Sequence, residues 1–102
     1  MPEFGNAFSG LALDCKLTKT ELVRAIRFMV AAEYEAVQLY MQLAESIDDE
    51  LAMEVLVDIA DEERVHAGEF LRLLKYLEQE EEEFYAEGAE EVDEIYGELK
   101  KR

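Results

Sequence analysis

The stretch Asp61-Glu62-Glu63-Arg64-Val65-His66-Ala67 decides how the chain is read, because Glu63 and His66 stand three residues apart inside an apolar repeat. Read outward from that pair, Ala52, Leu56, Ile59, Glu63, His66, Phe70, Leu73 and Leu77 recur at alternating steps of four and three. That spacing lines one side of a packed helix. Only the two middle positions are polar.

An earlier segment has the same period: Leu22, Ile26, Met29, Glu33, Ala36, Tyr40, Leu43 and Ile47, with Glu33 its only charge. A turn at Asp48-Asp49 would fold the two segments into an antiparallel hairpin. Glu33 lies sixteen residues before Asp49, and Glu63 and His66 lie fourteen and seventeen after it. At about 1.5 Å of rise per residue, all three reach one level roughly 24 Å from the bend. The spacing therefore predicts two carboxylates and an imidazole converging in an apolar seam.

Thr18 followed by Glu21 is a capping-box pattern, with the apolar repeat starting at Leu22. Helix 1 is expected over about 19–47 and helix 2 over about 50–80, with Asp48 or Asp49 as its cap. Residues 1–17 hold Pro2, Gly5, Asn6, Ser9 and Gly10 without a sustained period. They read as an irregular arm, which is either docked on a neighbouring surface through Phe4, Phe8, Leu11 and Leu13 or a frayed end. Glu80–Glu83 place four like charges in succession and Gly88 interrupts the pattern, which marks a solvated helix end or a loosened acidic linker. A short C-terminal helix is expected over about 89–100, with Val92, Ile95, Tyr96 and Leu99 on one side. The division is thus arm 1–17, hairpin 18–80, and linker with C-terminal helix or tail 81–102.

A chain of 102 residues allows one small domain, and a lone two-helix hairpin encloses little core. Its formal charge of −16 and pI near 4.2 argue against nucleic acid and anionic membrane as partners and favour cations. No run approaches the roughly 20 apolar residues that cross a bilayer, and no secretory signal is read at the start. Cys15 is the only cysteine, so an intrachain disulfide and a cysteine metal cluster are both ruled out. A soluble, cytoplasmic protein is expected. Glu62 and Glu69 read as a solvated face.

Burying an ionised carboxylate without compensation costs several kcal/mol, so two glutamates meeting in a seam call for a cation. At these residues the chain resembles the ferritin-like superfamily, and within it the encapsulated ferritins, whose chains carry half the usual number of bundle helices. Glu33 with Tyr40 seven residues on looks like the Glu and Tyr pair of rubrerythrin and ferritin first helices. Glu62-Glu63-x-x-His66-Ala67 looks like their second. The resemblance covers roughly residues 20–80. A complete rubrerythrin, with rubredoxin-like cysteine pairs, is excluded, as is a self-contained ferritin, because the chain has one Glu and one Glu-x-x-His.

The resemblance implies an all-α antiparallel helical hairpin, completed by homodimerisation into a four-helix bundle. Two chains would supply four glutamates and two histidines to two iron ions. It implies a ferroxidase that oxidises Fe(II) with dioxygen, with dimers gathered into a larger even-numbered ring inside an encapsulin shell. Glu33 and His66 would be terminal ligands and Glu63 the bridging one, with manganese or zinc as other divalent occupants. Tyr40 would orient a carboxylate or pass an electron, and Glu35 would gather incoming metal. Two other functions stay open: a rubrerythrin-like reductase of peroxide or dioxygen, and a non-catalytic, metal-stabilised helical dimerisation module. The terminal Ile95-Tyr96-Gly97-Glu98-Leu99-Lys100-Lys101-Arg102 resembles peptides that load cargo into encapsulin shells, while a helix end with dipole-favoured basic residues explains the same letters.

Overall fold

A computed structural model describes Ala12 and residues 14–102. Within them the fold is all-α, with α1 at Lys19–Glu45, α2 at Glu50–Leu77 and α3 at Glu81–Lys100. The arm residues Phe4, Phe8, Leu11 and Leu13 lie outside the described residues.

Local chemistry sets each helix end. Thr18 and Glu21 form the full capping box: the Thr18 amide donates to Glu21 Oε1 at 2.8 Å and the Glu21 amide to Thr18 Oγ1 at 3.2 Å. These bonds hold the Glu21 carboxyl below its ordinary pKa, because the backbone amide of Thr18 favours the charged form. Helix α1 stops at Glu45, two residues earlier than the apolar period suggests. The Ser46 hydroxyl donates to the Gln42 carbonyl at 2.6 Å, satisfying one of the orphan acceptors of the last turn. Asp49 caps α2 by accepting from the Ala52 amide at 2.8 Å.

Helices α1 and α2 pack as an antiparallel hairpin, and their contact line differs from the seam predicted by the sequence. The residues buried along it are Val23, Ile26, Val30 and Ala44 on α1, and Ala60, Ala67 and Leu74 on α2. Ala60 is 0% exposed. Alanines at the crossing let the helix axes approach closely, since interaxial distance follows the side chains at the contact. The predicted seam shares Ile26 with this line and otherwise stays partly open: Leu22, Leu43 and Leu73 remain exposed, and Met29, Phe70 and Leu77 are half-buried. Val23, Ile26 and Leu74 form the cluster against which Phe70 and Leu77 pack.

Helix α3 also departs from expectation, beginning at Glu81 where a linker was anticipated. Glu81, Glu82 and Glu83 occupy its first turn, where the positive end of the helix dipole favours acidic side chains. Gly88 passes through in ordinary helical geometry, with no positive φ at any described glycine. One glycine costs about 1 kcal/mol against alanine, less than is needed to interrupt a run of glutamates and alanines. The root of α3 is tied to both hairpin helices, by an Arg27–Glu81 ion pair and a Lys75–Glu82 pair at 2.8 Å. No residue of α3 is buried.

Candidate metal centre

Glu33 projects from the middle of α1, and Glu63 and His66 from successive turns of α2. The antiparallel register brings them level. His66 Nδ1 lies 3.6 Å from Glu63 Oε2 and 3.9 Å from Glu33 Oε2. One donor atom from each residue lies within 4.8 Å of the others. Among the described residues this is the one group of three His, Cys, Asp or Glu side chains so gathered.

These separations are longer than hydrogen bonds. Two ligands about 2.1 Å from a common ion stand roughly 3 Å apart, so the two imidazole contacts would shorten by under 1 Å, and the widest donor separation by up to about 2 Å, on entering one coordination sphere. Glu33 Oε2 is buried and has no hydrogen-bond donor. Glu33 is held above its ordinary pKa of 4.5, first because the Glu63 carboxyl can hydrogen-bond it only by sharing a proton, then by burial and the charge of Glu63; His66 acts in the opposite direction. An orphaned carboxylate oxygen facing a second carboxylate lacks positive charge. The donors present, two carboxylates and an imidazole, suit a hard or borderline divalent metal such as iron or manganese.

The Glu33 and Glu63 side chains are 16% and 21% exposed, while His66 is 49% exposed. The group therefore sits at the edge of the hairpin, beside a cavity of about 550 Å³ lined by Glu33, His66, Glu69, Phe70 and Leu73. Glu69, read from the sequence as part of a solvated face, shares this cavity. Its signal was its place one turn beyond His66. Glu62 stays on the exposed face.

Neither accessory candidate hydrogen-bonds the trio among the described residues. Tyr40 is half-buried on the same side of α1, but among the described residues no hydrogen bond joins its hydroxyl to Glu33, Glu63 or His66. Glu35 is exposed on the outer face of α1, lining a separate groove of about 290 Å³ with Tyr34, Gln38, Leu39 and Gln42.

The rubrerythrin family profile matches residues 22–101. The chain belongs to the rubrerythrin family. Its fold is shared with the crystal structure of an encapsulated ferritin domain from Pyrococcus furiosus, at a TM-score of 0.81 and 39% identity, covering 87% of this chain and 92% of that one. In sequence it is 40% identical over 84 residues to a ferritin-like-encapsulin shell fusion protein of the same organism, and 41% identical over 66 residues to the encapsulin nanocompartment cargo protein EncC of Myxococcus xanthus. These matches cover 82% and 65% of this chain but only 24% and 51% of the two relatives. The ferritin-like, all-helical character expected of this rubrerythrin-family chain is thus established. Among the described residues, no helix is long and apolar enough to cross a membrane.

Proposed function

We propose that the chain is a ferroxidase subunit, oxidising Fe(II) to Fe(III) with dioxygen at a di-iron centre formed where two hairpins meet. The observation that carries this reading is the buried, unpartnered Glu33 Oε2 facing Glu63 and His66. One chain offers two carboxylates and an imidazole, half of what two ions need. A twofold copy placed over the open flank would double the donors and cover Leu22, Leu43 and Leu73, balancing four carboxylates against two divalent ions.

In this centre Glu33 and His66 would be the terminal ligands, and Glu63 would be the carboxylate shared by the two ions. Two Fe(II) substrate ions held side by side would each give up one electron, so that one dioxygen takes two electrons and two protons from solvent and leaves as hydrogen peroxide while both ions become Fe(III). The surrounding apolar flank limits water, which strengthens the carboxylate field acting on the ions. The hairpin of residues 18–80 carries the chemistry. Residues 81–102 serve assembly, including a ring beyond the dimer, because α3 leaves its apolar side uncovered. Relatives named as an encapsulin fusion and an encapsulin cargo protein support iron storage inside an encapsulin compartment.

The family match supports a second reading, reduction of peroxide or dioxygen by an outside electron donor at the same centre. Mixing metal-free protein with Fe(II) in air, and following ferric absorbance by stopped flow beside a Glu63→Ala, His66→Ala variant of checked oligomeric state, separates the possibilities. Rapid ferric formation lost in the variant is the expected result. Equal slow rates would overturn the ferroxidase reading. Turnover only with peroxide and a reductant would favour the second reading, and metal-dependent stability with no turnover a purely structural site.

A further inference from the structure

Metal-binding histidines ordinarily donate their second ring N–H to a carboxylate, carbonyl or water, which fixes the tautomer and aims the ring. In this hairpin Nδ1 is the His66 nitrogen nearest both glutamates, leaving Nε2 to find an acceptor on the open side, where half of the side chain is exposed. Two acidic residues of α2 flank it, Glu62 one turn before and Glu69 one turn after. Helical side chains lean back over the preceding turn, a direction that carries a Glu69 rotamer towards the turn of His66 and a Glu62 rotamer away from it; in this hairpin His66 pairs with Glu33 and Glu63 and not yet with Glu69. Glu69 also lines the cavity that His66 and Glu33 share, and Glu62 does not.

We infer that Glu69 is a positioning residue for His66: its carboxylate accepts a hydrogen bond from Nε2–H and so presents Nδ1 to the metal. This rests on the proposed centre at Glu33, Glu63 and His66. It gives the acidic edge of α2 two different uses, with Glu69 serving the site and Glu62 serving solvation.

The test uses Zn(II), which binds without redox chemistry, titrated into the intact metal-free chain by competition with a fluorescent chelator. Glu69→Ala should weaken binding by about 10–100-fold. Glu69→Gln, whose amide oxygen still accepts a hydrogen bond from Nε2–H, should recover much of the loss, and Glu62→Ala, which removes the same charge, should stay within a few fold of the native protein. His66 is the only histidine, so nitrogen-labelled histidine gives one imidazole to observe in the Zn(II)-loaded protein. Its proton should sit on Nε2 and exchange slowly with water, and exchange should quicken in Glu69→Ala. Native affinity in Glu69→Ala, or equal losses in Glu69→Ala and Glu62→Ala, would overturn the inference. If the native chain and its Glu63→Ala, His66→Ala variant bind Zn(II) alike, the proposed centre itself fails, and the inference with it.

Discussion

The hairpin and α3 are both amphipathic, yet they treat their apolar sides in opposite ways. Helices α1 and α2 bury Val23, Ile26, Val30 and Leu74 against each other and close around Ala44, Ala60 and Ala67. Helix α3 aligns Phe84, Val92, Ile95 and Leu99 along one side and buries none of them; Phe84 remains 70% exposed. Hydrophobic pattern alone therefore does not make a core. It makes one only where the chain returns a second face to meet it, as the turn after Ser46 does for α1 and the turn after Leu77 does not for α3.

This contrast can be broken first at Ala60. Replacing it with leucine forces four-carbon bulk into a closed helix crossing, and overpacking of this kind costs roughly 1–3 kcal/mol. In a domain this small each kcal/mol lowers Tm by about 4–8 °C, so thermal circular dichroism would show a clear drop. An unchanged Tm would mean that the crossing is looser than the burial indicates.

A smaller effect of opposite sign is expected from Glu33→Gln in metal-free protein. Because the folded chain holds Glu33 above its ordinary pKa of 4.5, it keeps this proton at pH values where the unfolded chain has released it. Stability therefore falls as pH rises from that ordinary value to the raised folded one, and stays lower above it. Chelator-treated Glu33→Gln should accordingly be more stable than the native chain at neutral pH. The gain should vanish below pH 4.5 in denaturant titrations. The same variant should bind Zn(II) more weakly, so a gain in stability with undiminished affinity would contradict the ligand role.

Thr18→Ala, which removes the α1 cap, should cost about 1 kcal/mol, read from the denaturation midpoint. The smallest change in unfolding stability belongs to α3. Val92→Asp with Ile95→Asp alters exposed positions and should shift stability by no more than about 0.5 kcal/mol. Sedimentation should show the loss of any assembly that depends on that stripe. A large fall in Tm from this pair would erase the distinction between the two regions.

The residues that meet at the centre were legible because Glu33, Glu63 and His66 are the polar interruptions of two apolar repeats, and counting from Asp49 fixes their level. Which side of the hairpin they occupy was not legible. The period counts large side chains, whereas the helix contact joins Val23, Ile26, Val30 and Leu74 to the alanines Ala44, Ala60 and Ala67, which carry little weight in such a pattern and yet decide how closely helices pack. The start of α3 was hidden for a related reason. Four glutamates in a row repel one another in isolation, and only their place at a helix N-terminus, with Arg27 and Lys75 within reach, makes that run favourable. Glu69 was obscured because its chemistry depends on the direction in which a helical side chain leans.

The ion pairs at the root of α3 have a mechanical consequence. Exposed pairs such as Lys75–Glu82 are each worth about 0.2–1 kcal/mol and weaken as salt rises. Covering one large side chain of the stripe would contribute about 1.5–3 kcal/mol. On these magnitudes a surface that covered the stripe would outweigh the ion pairs, so the angle α3 takes in an assembly would be set by that surface and not by Arg27 and Lys75.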